Sequence, residues 1–552
     1  MAGRLRRATA GLVALGLLVA PVRAAQPESR LEHFTKRAAE GGGKLVPRVY
    51  TFFGGPSHEE FVAAGCREGG SVVAFGNAWG PEFPAQPEPL VLGKGEWHDV
   101  TEFSWGGPTG ADGRPAPLAE NYPNRAGMVV FFAPDLGSVE RVVRFDWGVA
   151  TITAGRVLAD GRMLIAGRCT EHFRPLADRT GGVHVVPKPE GDRKYYGALY
   201  HEGLKFPGDV YVARLSIDAS RLEWTWIFEG HRSAPRAIGL GKGGDVVVEV
   251  RGKRRISADG ARLDDVGPEG RHNRRLMAVR GDDGLFVVGG YRHEGTGRSR
   301  ETWRGPVFGA FEADGTARWT AWDWKGGLVA HEAFGLTAAS TVTDAAFDGE
   351  GRLLVSGQSD GGASVFGRSP VDLERPLPEG GFGMEALPAG RGAASYGWLM
   401  RLDPERLSVE AWALWAVYAV ERSREMGGNV SIEGVSPLAD GSVAFWGTAG
   451  PGLVRTPGAW KGGAGEGGTA AYAAVFDAAL ANLRFSSHVP GCEVAGACDT
   501  RGGVVLVGRS RGTDGAEGAR GPGFGRAART DFGGGRYDAH LLLLGPAEED
   551  RR

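Results

Sequence analysis

Basic charge is not in excess in this sequence of 552 residues: 64 Lys and Arg stand against 66 Asp and Glu, a formal net charge of −2. A phosphate-binding surface calls for a basic surplus or basic clusters, so nucleic acid is not an expected partner. Long apolar runs are missing after residue 20, which leaves no expected transmembrane segment in the chain beyond it. Catalytic signatures are missing too. His58-Glu59-Glu60, His201-Glu202, His293-Glu294 and His331-Glu332 all lack the second histidine that an HExxH zinc site places one helical turn away. There is no P-loop, no CxxC, and no GxSxG in a strand-to-helix context. Cysteine is scarce, with four in the chain.

At the N-terminus, Arg4, Arg6 and Arg7 precede an apolar run from Ala10 to Ala20, followed by Pro21 and the small-residue exit Val22-Arg23-Ala24. That is the layout of a secretory signal peptide cut after Ala24. The run is about half the roughly 20 residues a membrane span needs, and no cysteine closes it to accept lipid. The expectation is a free protein of the periplasm or the exterior. The stretch 28–40, ESRLEHFTKRAAE, reads as a short helix capped by Ser29, with Leu31, Phe34 and Ala38 on one face, inside a linker over 25–45.

What is abundant is glycine, 92 residues, with 31 prolines, in a chain that is still 42% apolar. The apolar residues come in short bursts between glycine-rich turns, the pattern of an all-β protein. One phrase recurs seven times, a turn with Asp or Gly leading into an apolar run that usually ends at Gly. Its copies are GGSVVAFG (69–76), DGRMLIAG (160–167), GGDVVVEV (243–250), DGLFVVGG (283–290), EGRLLVSG (350–357), DGSVAFWG (440–447) and GGVVLVG (502–508). Each run is too short for a helix and suits a buried strand. An apolar stretch precedes each copy and a hairpin pair follows it, such as GPVFGAFEADGTARWTAWDW, whose Asp314-Gly315 suits a tight turn. Four strands per repeat, seven times over, predict a seven-bladed β-propeller of antiparallel blades over 46–545, with a tail at 546–552. YDAHLLLLG (537–545) reads as a third strand lacking its outer partner, and VPRVYTFFGG (46–55) as an outer strand lacking its third. Pairing them completes the seventh blade from both ends of the chain.

The phrases FFGGPSHEEFVAAGCREGGSVVAFGNAWGPEFP (52–84), GDVYVARLSIDASRLEW (208–224) and YDAHLLLL resemble the SBBP-type β-propeller repeat of secreted bacterial proteins. The resemblance carries an Asp-Ala-hydrophobic strand opening, a Phe-Gly-Gly turn and a Phe-Pro ending. It implies the propeller fold and an extracytoplasmic compartment, and hands over no catalytic residues. FGAFEADGTARW (308–319) also resembles the quinoprotein repeat, whose tryptophan docks blades together.

At roughly 75 residues per blade against about 40–45 in a compact propeller repeat, the excess length falls between the second and third strands, near 77–125, 168–207, 358–395, 448–469 and 509–537. In a propeller these connections emerge on the same face as those between blades, and long loops on one side of a rigid scaffold suit binding. The first holds Trp79, Phe83, Trp97, His98, Asp99, Phe103 and Trp105. Three tryptophans among polar neighbours suit a stacking platform for sugar rings or an aromatic peptide, and equally suit pinning a long loop to the blade rims. His58, His231, His272, His331 and His488 each fall in or beside a connection between blades. Rings turned to the central channel would form a polar collar; seven-fold spacing instead spreads them too widely for one ion, and no metal site is assigned. Glu59 and Glu60 are candidate acid and base groups or a solvated pair.

Cys66 and Cys498 each lie ten positions before the closing glycine of a recurring phrase, Gly76 and Gly508. They therefore occupy equivalent places on the inner strands of blades one and seven, which meet at the ring closure. Inner strands at a radius of about 7–8 Å place such Cα atoms roughly 6–7 Å apart, near the top of the disulfide range. Either a disulfide across the seam or two small buried side chains fits, the latter because Val157 and Phe347 hold equivalent positions. Cys169 and Cys492 have no evident partner. The functional expectation is a binding or scaffold module for a glycan or an extracytoplasmic protein, with no cofactor assigned. The alternative is a propeller-type enzyme, either a carbohydrate hydrolase or lyase or a quinoprotein-like dehydrogenase. Fold alone does not choose between them.

Overall fold

The computed structural model describes residues 45–546 apart from 55–57, 80–86, 95–124, 147–149, 170–173, 176–178, 188–199, 202–203, 206–208, 232–233, 251, 267–273, 296–301, 323–338, 361–367, 383–394, 422–423, 428, 461–467, 490, 502 and 512–536. The signal-like segment and the helix expected at 28–40 lie outside the described residues.

Seven sheets follow one another, each built on four antiparallel strands, which in the first six blades run in the order of the chain from the channel outward. Blade 1 is His58–Cys66, Val72–Trp79, Arg125–Phe132 and Val139–Arg144. Blade 2 is Ala154–Val157, Met163–Cys169, Asp209–Leu215 and Leu222–Phe228. Blade 3, with the shortest strands, is Gly239–Leu240, Val246–Glu249, Lys253–Ile256 and Leu263–Asp265. Blade 4 is Arg274–Val279, Phe286–Gly295, Thr302–Phe311 and Ala317–Ala321. Blade 5 is Ser340–Phe347, Leu353–Asp360, Ser395–Asp403 and Ser408–Trp415. Blade 6 is Gly434–Pro437, Val443–Ala449, Ala470–Phe476 and Leu483–His488. Blade 7 takes Cys492–Thr500, Gly503–Arg511 and Tyr537–Pro546 from the C-terminal part of the chain and its outer strand, Leu45–Phe53, from the other end. The protein is a seven-bladed β-propeller, and each of the seven recurring phrases supplies a second strand.

The phrases are apolar on consecutive positions because their strands are covered on both faces. Val505 and Val507 belong to the core shared with blade 1, whereas Leu506, between them, belongs to the core shared with blade 6. Such cores fill every junction: blades 1 and 2, 2 and 3, and 3 and 4 each share one, and a larger one spans blades 4, 5 and 6. The junction of blades 3 and 4 is the thinnest, with Val247, Val266, Leu276, Val279, Phe286 and Val288 as its buried members.

The closing glycine of the phrase also has a local cause. The inner strand of blade 1 carries a bulge between Phe61 and Ala63, directly opposite Gly76. This presses a carbonyl onto the second strand: a Cβ on Gly76 would lie 1.9 Å from the Glu60 oxygen, and one on Gly508 would lie 1.8 Å from the Glu493 oxygen. No side chain fits there.

At the seam, Leu45–Phe53 pairs antiparallel with Tyr537–Pro546, from Leu45 opposite Pro546 to Phe53 opposite Ala539. His540 is wholly buried in that pairing, stacked on Tyr50 at 5.5 Å between ring centres, and burial lowers its pKa to about 3. The unfolded chain takes up the imidazole proton near pH 6.5, and the folded chain does not until about pH 3. Stability tied to His540 is therefore complete above pH 6.5 and falls as the pH drops, by up to about 1.4 kcal/mol per unit. Urea unfolding from pH 7 to pH 4 is expected to give a shallower acid loss for His540→Phe than for the unaltered protein. Parallel profiles would refute a buried neutral imidazole.

Candidate functional site

Every connection between second and third strands leaves the ring on the face where the blades are joined, and five of them are long: 80–124, 170–208, 361–394, 450–469 and 512–536. Blades 3 and 4 have short ones there. The described parts of the long connections run back along the blade rims. In blade 1, Leu90–Val91 adds a parallel fifth strand to Val139–Arg144. Gly93–Lys94 then pairs with Arg174–Pro175 from the excursion of blade 2. Blade 2 gains Val183–Val186 parallel to its outer strand Leu222–Phe228. In blade 5, the amide of Leu414 donates to the Phe382 carbonyl at 2.7 Å. The blade 6 excursion lies on Leu483–His488, where the Thr456 amide donates to the Ser486 carbonyl and the Trp460 amide to the Ser487 hydroxyl.

The outermost strand of blade 2 has an unusual surface. Its burial alternates, so His184 stacks on Trp226 at 4.6 Å while Val183 and Val185 are 42% and 51% exposed. Among the described residues, the exposed large apolar side chains are these two and Ile217.

Trp97, His98, Trp105, His272 and His331 lie outside the described residues. His58 and Trp79 open the first strand and end the second strand of blade 1. His231 is buried beside the outer strand of blade 2, edge-on to Phe228 at 6.4 Å. His488 is buried at the end of the outer strand of blade 6, its Nε2 3.4 Å from the Ala449 carbonyl oxygen, and burial lowers its pKa. These two histidines are held in separate blades. Among the described residues no three His, Cys, Asp or Glu side chains form a metal-binding group.

The carboxylates fare similarly. Glu59 is wholly buried next to Gly54, as is Asp538; a Cβ on that glycine would lie 2.7 Å from an oxygen of each. Glu60 pairs with Arg509 of blade 7 at 3.3 Å and accepts from the Asn77 amide at 3.0 Å, so it ties the seam. Asp209 explains part of the strand-opening motif. Its Oδ1 accepts the Gly230 amide at 2.9 Å, capping the turn that leads to the next blade. Cys66 and Cys498 lie on neighbouring inner strands, both as free thiols. Cys492 meets the Tyr50 hydroxyl at 2.7 Å.

The channel wall holds groups that spacing did not single out. Inner strands have a backbone edge without a strand partner among the described residues, and side chains of the adjacent blade take up polar groups on or beside several of these strands. Asn77 accepts the Ile152 amide at 2.8 Å and donates to its carbonyl at 2.9 Å. Thr153 donates to Pro235 at 2.7 Å, Glu249 accepts from Leu276 at 2.8 Å, and Arg275 donates to Thr343. Asp344 accepts from Val435 at 3.0 Å, and Ser436 donates to Ala497 at 3.2 Å. The signal in the sequence was a polar residue interrupting an apolar inner strand, as Asp344 does in VTDAAF. At the end of the channel away from the long excursions is a cavity of about 400 Å³ lined by Arg156, Met277, Arg280, Asp282, Phe347 and Ser436, among others. Desolvation lowers the pKa of the Arg156 guanidinium, which donates to the Ile238 carbonyl at 3.3 Å.

No family model matches the chain, and no curated protein matches it. Among solved structures it is similar to a protein of unknown function from Dyadobacter fermentans, at 10% identity over 91% of this chain and 99% of that one, with a TM-score of 0.37. It is also similar to the Dos1 propeller, at 8% identity over 91% and 96% with a TM-score of 0.36. A third is the β-propeller domain of Cps50 (Swd1) from Myceliophteria thermophila, at 10% identity over 77% and 93% with a TM-score of 0.35. The assignment of the fold rests on the strand order given above.

Asp344 provides a signed test of the channel wall. Burial raises its pKa to about 6. The folded protein therefore retains a proton that the unfolded chain releases near pH 4; the resulting stability is full below that value and is lost as the pH rises through 6. Asp344→Asn keeps the acceptor for Val435 and removes the charge. At pH 7.5 the variant is expected to be more stable by on the order of 1–2 kcal/mol, allowing for channel water, with the difference shrinking toward pH 4.5. Equal or lower stability at pH 7.5 would count against this account.

Proposed function

We propose that this propeller is an exported binding module that recognises a glycan or an extracytoplasmic protein through the face bearing the long excursions. A propeller supports binding or scaffolding in general, because its rigid ring holds loops of varied length without changing its core. The observation that carries the finer reading is the one-sided load of extra chain, five long excursions on a single face. The signal-like N-terminus supports export.

Two features favour different partners. The tryptophan-rich excursion, with Trp79, Trp97, His98 and Trp105, has the composition of a sugar-stacking platform. The Val183–Val186 strand, which is the last of its sheet among the described residues and carries two exposed valines, suits main-chain pairing with a protein segment. The enzymatic alternative draws little support from the carboxylates singled out earlier, because Glu59 is sealed from solvent and Glu60 is engaged with Arg509. No helix among the described residues is long and apolar enough to cross a membrane.

The chain from residue 25 onward, screened on a glycan array and against an extracytoplasmic protein fraction, is expected to bind one class. A glycan ligand is expected to lose at least tenfold in affinity with Trp97→Ala and Trp105→Ala. A protein ligand is expected to lose as much with Val183→Lys and Val185→Lys, at unchanged Tm. Binding that survives shortening of all five excursions would place recognition elsewhere.

A further inference from the structure

The inner strands of a propeller run in the same direction around the channel, so contacts between two neighbours repeat every second residue. On blade 1, Gly65 faces blade 2, since a Cβ there would lie 2.6 Å from Val157. Its neighbour Cys66 therefore faces the other way, toward blade 7. On blade 7, Gly496 faces blade 1: a Cβ there would lie 3.3 Å from the Ala64 amide and 3.4 Å from the Ala63 Cα. Two residues further along both strands, on the same faces, come Cys498 and Cys66. Both are half-buried against the core that joins the two blades.

We infer that Cys66 and Cys498 form a dithiol site that a disulfide-class oxidant converts into a cystine, covalently locking the ring at its seam. The facing Cys66 thiol and burial together hold Cys498 protonated well beyond the usual thiol range. One of the two thiols loses its proton, and its thiolate attacks one sulfur of the oxidant and expels the other as a thiolate. The second thiol then gives up its proton, attacks the protein sulfur of the mixed disulfide and releases the second oxidant thiol. Two electrons and two protons leave the protein, and the oxidant disulfide is reduced to two thiols. The other cysteines do not compete. Cys169 is wholly buried with its pKa raised well above the usual value by desolvation, and Cys492 is engaged with Tyr50 and pushed up to about 11.

The seam is where a covalent link has the most effect. The chain joins every blade to the next, but inside blade 7 the outer strand Leu45–Phe53, which leads into blade 1, is held to the other three strands only by its pairing and packing. A bond from Cys66 to Cys498 encloses almost the whole propeller in one loop, and long loops restrict the unfolded chain most.

The reduced, folded full-length protein is to be treated with oxidised glutathione, digested under non-reducing conditions and analysed by mass spectrometry, with Tm measured in parallel. The expected result is a linked Cys66–Cys498 peptide with the mass of two hydrogens lost, and a Tm higher by at least a few degrees that dithiothreitol returns to its starting value. Cys66→Ala, a mild change at a site where other blades carry apolar residues, is expected to fold, form no link and show no redox-dependent Tm. Glutathione stably attached to either cysteine without the link, a link formed only after unfolding, or a link without a rise in Tm would each overturn the inference.

Discussion

A blade buried on both faces needs a neighbour on each side, and a linear row of such blades would leave two apolar faces in water. Closure removes both. In this protein it depends on one antiparallel pairing, Leu45–Phe53 with Tyr537–Pro546, which builds the seventh sheet from chain segments almost five hundred positions apart. The cores on either side of that sheet depend on it. Tyr50 and Phe52 pack toward blade 6, whereas Val49 and Phe53 pack toward blade 1. The outer strand thus supplies alternate residues to two junctions, and without it both would be exposed.

Polar groups within the ring follow from the same closure. An inner strand has one neighbour in its own sheet, and its free edge lines the channel with unpaired amides and carbonyls. Asn77, Thr153, Glu249, Arg275, Asp344 and Ser436 satisfy those groups from the adjacent blade. A buried polar backbone group without a partner is costly, so these side chains serve the architecture before any ligand. The same holds for Glu60, whose carboxylate joins Arg509 and Asn77 across the seam. Among the described residues, Glu59, Glu60, His231 and His488 belong to this lining or to the blades.

The excursions differ in kind from the ring. Their described parts widen blades 1 and 2 at the rim and brace blades 5 and 6, so those parts are anchored by backbone hydrogen bonds. Anchored loops lose less freedom when they meet a ligand, which suits a recognition surface. The cavity beside Arg156 opens at the other end of the channel, among the short turns between first and second strands. The two ends of the ring therefore differ: the long connections leave from one, and short turns between first and second strands line the other.

The repeat was legible because each second strand is sealed on both faces and ends against a bulged neighbour, so a run such as VVLVG must be apolar throughout and close on glycine. The incomplete blade was legible at both ends, since YDAHLLLLG and VPRVYTFFGG each lacked the partner the other supplies. Equal spacing from Gly76 and Gly508 put Cys66 and Cys498 at the same level on adjoining blades. Other features depended on three-dimensional contacts between residues distant in the chain. Nothing local in VTDAAF says that Asp344 reaches the Val435 amide, because that amide belongs to the next blade. Nothing in the excursion of blade 2 says that Val183–Val186 lies parallel to Leu222–Phe228, or that Cys492 meets Tyr50. Periodicity and turn chemistry are properties of neighbours in sequence, and they determined the blades. Which polar group meets which edge, and where a long loop comes to rest, depends on surfaces that exist only once the ring has closed.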